Sequence, residues 1–414
     1  MKTFIFLLFG VCLAEKVSYE QFKVVRAYPK TEDAIESLRD YVERTPLVDF
    51  WKFPSRPGLN ADVMVPPQHK EEFESFLVSN KIKSEVFVSN VQELINKESV
   101  GLGLRSTFGW TEYHTLEEIE TWLKNLADQY DEVELIKAGS TYEGRNITGV
   151  HVSYSKNNTN KAVFFETNIH AREWISSAVS TYILNELLTS QDSEIRKLAE
   201  SYDWYFVPVA NPDGFAYTHK TNRMWRKTRK PSSWFCTGVD PNRNWNNHWA
   251  EYGASRNPCS ESYAGPYAFS ENCTRTLSQY ISTIGDKLVA YFDFHSYSQL
   301  LMVPYGYSSK PLDNYNLTYG IGVQAAKSLA KRYGTQYTVG NIYNTVYPAS
   351  GGSVDWVKAT FKTPLVYVYE LRDTGRYGFV LPPDQIIPTS QETLDSILTI
   401  FKEYEARNST LKAN

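Results

Sequence analysis

Two side chains in the run TNIHAREWISS, residues 167–177, are placed to share one metal ion: His170 and Glu173 stand three positions apart. Over one helical turn such residues face the same way, so an imidazole nitrogen and a carboxylate oxygen can reach a common point. A lone H-x-x-E pair carries little weight. Its setting adds to it, because an apolar strand-like run, AVFFETN, precedes the pair and an apolar helix-periodic run, WISSAVSTYILNELL, follows. His295 closes a second apolar run, KLVAYFDFH, far along the chain. Two imidazoles and one carboxylate suit zinc better than calcium or magnesium, and three protein ligands leave a fourth position for water, the pattern of a catalytic site.

Residues so distant in sequence meet only if regular elements carry them. From about Ser106 the chain alternates strand-like and helix-like runs, with several strands continuously apolar. That pattern predicts an α/β domain with a mixed, mostly parallel central sheet flanked by helices. Sites in such sheets lie beyond the carboxyl ends of the strands. His170, Asn211, His295 and Glu370 all fall there and are expected to converge. Thr115, with Glu118 three positions later, reads as a capping box opening the first helix of this domain.

Residues 17–90 read differently, as short runs in the order β-α-β-β-α-β, which predicts a small ferredoxin-like open sandwich. A helix-like stretch then runs out at Gly101 and Gly103, ahead of Arg105. An arginine between two domains is a site for a trypsin-like cut. The expected organisation is a signal peptide at 1–14, a removable pro-segment at 15–105 and the main domain at 106–414.

Composition agrees with two globular domains: 414 residues, 42% hydrophobic and 22% charged. A net charge of -4 gives no electrostatic case for nucleic acid or anionic lipid. The leader, with Lys2 ahead of an apolar run from Phe4 to Leu13, is too short to span a bilayer. No later run reaches about 18 apolar residues, so a secreted, extracellular, monomeric protein without a membrane partner is expected. Cys12 leaves with the leader, and Cys236, Cys259 and Cys273 predict one disulfide and one free thiol, with the pairing left open. Sequons stand at Asn146, Asn157, Asn272, Asn316 and Asn408.

The blocks NIHAREWIS, NRMWRK, GVDPNRNW, FHSYSQLLMVPYGY, YPASGGSVDW and YELRDTGRYGFVLP occur in this order. Together they closely resemble the zinc metallocarboxypeptidases of the carboxypeptidase A/B type, which are secreted as zymogens. The resemblance covers nearly the whole chain after the leader. It implies one zinc ion held by His170, Glu173 and His295, with Asp240 as the carboxylate that orients His170. It implies hydrolysis by a zinc-activated water, with Glu370 as general base and Arg226 stabilising the oxyanion. Arg243, with Asn242 beside it, would grip the free C-terminal carboxylate of a peptide substrate. Tyr347 would close over that terminus, with Gly351 and Gly352 lending the loop flexibility. Arg172 and Tyr297 would line the cleft. Cys236 would pair with Cys259, and Cys273 has no partner in the family. A pro-domain over the cleft would block access to zinc.

Specificity follows from the residue before Asp355 in SGGSVDW. By resemblance Val354 lies at the floor of the pocket, where members that prefer basic residues carry aspartate. A lysine or arginine facing valine would be desolvated without a partner, at a cost of several kcal/mol. Met302, Gly306, Ile342, Val346, Ala349 and Val368 are expected to line the same pocket, which would then accept aliphatic and aromatic side chains. Two other readings are weaker. A non-catalytic peptide binder would have lost ligands or base, and all are present; a basic preference would need a carboxylate at 354 rather than at the neighbouring Asp355.

Overall fold

The structure, a computed structural model, describes residues 16–99, 107–155 and 160–413. The leader, Arg105 with the proposed boundary, and Asn157 lie outside them.

The N-terminal part follows the expected order. Strands β1 (Lys23–Tyr28), β2 (Asp49–Lys52), β3 (Ala61–Val65) and β4 (Lys83–Val88) form an antiparallel sheet ordered β2-β3-β1-β4. Helix α1 (Glu32–Arg44) buries Ala34, Ile35, Leu38, Tyr41 and Val42, the stripe its 3.6-residue period implies, and Thr31 caps it by accepting from Ala34 N. With α2 (Lys70–Ser79) it covers one sheet face through Leu38, Val63, Phe73 and Leu77. A further helix, α3 (Val91–Glu98), lies beyond this sandwich, and its Val91 packs with residues of both parts of the chain.

In the larger part, α4 (Leu116–Gln129) opens on the predicted capping box. Eight strands follow: β5 (Val133–Ser140), β6 (Asn146–Val152), β7 (Ala162–Thr167), β8 (Asp203–Val207), β9 (Leu288–Ser296), β10 (Leu300–Val303), β11 (Thr338–Asn341) and β12 (Leu365–Leu371). Their order is β11-β10-β12-β9-β7-β8-β6-β5. The centre, β12-β9-β7-β8, is parallel, and antiparallel pairs join it to β10 and β6. Strands β7, β8 and β9 are buried along their whole length on both faces, which is why they read as largely unbroken apolar runs. One face packs on the helices Trp174–Thr189, Tyr315–Tyr333 and Ile386–Ala413, the other on Asn272–Ile284 and Ser353–Phe361.

After β8 the chain opens a helix, Pro212–Lys220, whose first turn tolerates proline and whose cap Asn211 accepts from Gly214 N. One local reading is corrected. His170 and Glu173 do not sit on a helix. They span a tight turn closed by Glu173 N to His170 O at 3.3 Å, and the helix begins at Trp174. Cys236 pairs with Cys259, while Cys273 is free and buried, its thiol pushed up in pKa by burial. No helix among the described residues is long and apolar enough to cross a membrane.

Candidate metal centre and substrate cleft

Because β7, β9 and β12 run parallel as neighbours, their carboxyl ends share one edge. The turn after β7 presents His170 and Glu173, β9 ends on His295-Ser296, and Glu370 stands opposite His295 in the next strand. Glu173 lies between the imidazoles: Oε1 is 2.9 Å from His170 Nδ1 and Oε2 is 2.9 Å from His295 Nδ1. One ligand atom from each of the three falls within 4.8 Å of the others, and all three residues are buried. Burial alone would raise the Glu173 carboxyl, but the flanking imidazoles of His170 and His295 pull it well below the usual carboxylate range. Two Nδ1 atoms and a carboxylate converging in a buried site are a donor set zinc takes.

Each imidazole is also held from behind. His170 Nε2 lies 3.1 Å from Asp240 Oδ1, as expected, and Asp240 is kept strongly acidic despite its burial by Arg226, His170 and Arg243. His295 Nε2 lies 2.9 Å from Asp293 Oδ2, a contact the sequence reading missed; the only available signal was the i, i+2 spacing on one strand face. Arg226 donates from Nη2 to Asp240 Oδ2 at 2.8 Å, and its Nη1 is 3.7 Å from Glu173 Oε1, which places a fixed cation beside the metal ligands. Burial pushes the Glu370 carboxyl up to about 8, opposed by His295 and reinforced by the charge of Glu173. Asn211 reaches the same edge, yet its amide braces the turn, donating to Ile169 O at 3.3 Å and Lys227 O at 3.1 Å.

Arg243 is 6% exposed and held in place: Nε donates to Gly253 O, Nη1 to Asn242 O and Nη2 to the Tyr347 hydroxyl at 2.8 Å. Asn242 accepts from Ser353 N through Oδ1 and turns its amide nitrogen to His295 Nε2 at 3.0 Å, so it faces a metal ligand. Gly351, expected to loosen the Tyr347 loop, anchors it. It has φ +75°, bonds to Asn247 O and Trp245 N, and lies so close to Arg243 O that a Cβ would come within 2.4 Å. Val354, Met302 and Val368 are buried in one cluster, with Ile342 and Val346 packed against it. Gly306 completes that wall against Ala349 and Ile342, its amide held by the Asp355 carboxylate at 2.9 Å.

Arg172 and Tyr297, the expected cleft residues, are buried, and the N-terminal sheet covers them. Arg172 Nη1 pairs with Asp49, Nη2 donates to Phe50 O at 3.2 Å, and the guanidinium lies 4.1 Å from the Phe379 ring centroid. The Tyr297 hydroxyl donates to Asp62 Oδ2 at 3.1 Å, and Asp62 is gripped by Arg26 at 2.6 and 2.7 Å. Phe53 meets Tyr347 edge-on, and Trp51 lies against Gly378, where a Cβ would come within 2.6 Å of its ring. At the far end of the cover, Glu98 bonds Arg223 Nε at 2.6 Å and Nη2 at 2.7 Å. None of these partners in β1 to α3 was identifiable from sequence.

Comparison with known proteins agrees with this geometry. A family profile described as zinc carboxypeptidase matches residues 119–396, and one described as carboxypeptidase activation peptide matches residues 25–98. Zinc carboxypeptidase A 1 of Anopheles gambiae is 46% identical over 400 residues, covering 95% of this chain and 92% of that protein. Carboxypeptidase A1 of Sus scrofa is 38% identical, covering 96% and 97%. The crystal structure of the carboxypeptidase A from Helicoverpa armigera superposes with a TM-score of 0.86 at 28% identity, covering 95% of this chain and 99% of that one. The expected zinc ligands meet at one point, beneath a segment that matches an activation peptide. This chain therefore belongs to the zinc carboxypeptidase family and is a metallocarboxypeptidase in zymogen form.

Proposed function

We propose that the protein is secreted and kept inactive until a trypsin-like protease cuts away residues 15–105. The freed domain, 106–414, then removes single residues from peptide C-termini, preferring aliphatic and aromatic side chains. What supports this reading is the convergence of His170, Glu173 and His295, with Arg226 beside Glu173 and Glu370 paired across from His295. Secretion is supported by the apolar leader and by the Cys236–Cys259 bridge, since disulfides persist in oxidising compartments.

His170, Glu173 and His295 would hold a zinc ion, which would supply Lewis acidity and lower the pKa of a water to about 7. Glu370 acts as the base, taking a proton from the attacking water and passing it to the leaving amine. Arg226, fixed by Asp240, donates to the scissile carbonyl oxygen as negative charge gathers there; one such donor is worth about 3 kcal/mol of barrier. Arg243 meets the terminal carboxylate with two parallel N–H groups, which lysine cannot offer. Its Nε and Nη1 already hold the guanidinium plane, so Tyr347 is the partner that exchanges for substrate. Arg172 and Tyr297 become available to upstream substrate residues once Asp49 and Asp62 depart.

The test is a panel of peptides ending in Phe, Leu, Lys or Glu, assayed before and after mild trypsin treatment, with and without chelator. Hydrolysis of the Phe and Leu peptides after trypsin, abolished by chelation, is expected. Equal hydrolysis of the Lys peptide, or full activity before trypsin, would sink the proposal.

A further inference from the structure

The second imidazole of the triad has a carboxylate of its own. Asp293 precedes His295 by two residues on β9, so both side chains leave the same strand face. Its Oδ2 lies 2.9 Å from His295 Nε2, the counterpart of the 3.1 Å between Asp240 Oδ1 and His170 Nε2. Both aspartates are 0% exposed. Both histidines turn Nδ1 toward Glu173. A metal can use Nδ1 only in the tautomer that carries its hydrogen on Nε2, and a carboxylate behind Nε2 accepts that hydrogen.

A competing group faces the same nitrogen. Asn242 accepts from Ser353 N through Oδ1, which leaves its amide Nδ2 3.0 Å from His295 Nε2. An amide N–H can bond Nε2 only when that nitrogen is bare, which puts the ring hydrogen on Nδ1 and closes it to metal. Asp293 and Asn242 therefore pull the ring toward opposite tautomers. We propose that Asp293 is the positioning residue that holds His295 in its zinc-binding tautomer against the pull of Asn242. The inference rests on the zinc site described above.

The surroundings leave Asp293 little else to do. Asp240 also accepts from Arg226 and from the Asn242 backbone N–H, whereas among the described residues Asp293 has only His295 and a long 3.4 Å contact from Ser353 Oγ, and its Oδ1 is buried without a hydrogen-bond partner there. Opposite it on β7 stands Glu166, which accepts from the Tyr291 hydroxyl at 2.7 Å. Burial, with the charge of Asp293, pushes the Glu166 carboxyl up to about 8.

The experiment is Asp293→Asn in the full-length zymogen, with zinc affinity measured by competition against a chelator of known affinity. A tenfold to hundredfold weakening is expected, the usual effect of losing a carboxylate behind a metal-bound histidine. Thermal unfolding should shift more for the zinc-loaded variant than for the metal-free one. Affinity within twofold of wild type, or equal shifts in both forms, would overturn the proposal. If that variant does not fold, Asn242→Ala decides: removing the competing donor should hold or tighten zinc binding, and a tenfold loss would overturn the idea. Wild-type protein that fails to take up zinc would instead refute the site itself.

Discussion

The contact between Glu98 and Arg223 offers a measurable handle on the zymogen. Glu98 ends α3 and is 1% exposed, and Arg223 is 6% exposed. The carboxylate takes two guanidinium bonds at 2.6 and 2.7 Å, while Arg223 also donates to Arg172 O and Phe379 O. Burial raises the Glu98 carboxyl even beside this arginine, so desolvation outweighs pairing and the intact pair adds little net stability. Removing one partner is another matter, because it strands a buried charge at about 3–5 kcal/mol. In Glu98→Gln the amide still accepts one bond, so the lower end applies. The cost falls on the docked state alone, since departure of α3 lets water reach Arg223. About 3 kcal/mol corresponds to roughly a hundredfold shift in the docking equilibrium. The assay is hydrolysis of a short peptide ending in Phe by uncleaved zymogen, with a serine-protease inhibitor present and the intact mass verified. The variant should be ten- to a hundredfold more active than wild-type zymogen, and equal to it after trypsin. Uncleaved activity within threefold of wild type would refute the assignment of this pair as a clasp.

Val354→Asp should raise kcat/KM for a C-terminal lysine peptide at least about a hundredfold relative to a phenylalanine peptide, because a buried ammonium then finds a carboxylate in an otherwise apolar wall; an unchanged ratio in the trypsin-treated enzyme would remove Val354 from the pocket floor. Glu370→Gln should lower kcat by roughly a hundred- to ten-thousandfold while zinc content stays at that of wild type, measured by steady-state kinetics and metal analysis; near-normal turnover would assign the base elsewhere. Replacing Cys236 and Cys259 with serine should cost about 3 kcal/mol in urea unfolding, given their separation of 23 residues; a loss under 0.5 kcal/mol would mean the loop is held by its other bonds.

Features set by short-range patterns could be read directly from the chain. The stripe from Ala34 to Val42, the Thr115–Glu118 capping box and the apolar runs of β7, β9 and β12 each follow from periodicity within a few residues. The zinc ligands were legible because they flank those runs within recognisable motifs. The turn at His170 was misread as helix because i, i+3 spacing serves both conformations. Asn211 reaches the expected edge, but a side chain at a strand end can cap a helix as readily as face a ligand, and only the structure shows that it does the former.

Sequence by itself indicated the two-part organisation, most of the strands and helices, the candidate ligand set and the apolar character of the residue before Asp355. Only the tertiary structure decided which groups share a point. Asp49 with Arg172, Asp62 with Tyr297 and Glu98 with Arg223 are separated by 123, 235 and 125 positions, and no local pattern links them. Asp293 lay two residues from a ligand and was passed over. An aspartate in a buried strand shows its role only when the strand twist and the neighbouring Asn242 fix which ring nitrogen it faces. Local propensity acts over a few residues, whereas a hydrogen bond depends on positions to within a few tenths of an ångström, and only the packed sheet supplies that precision.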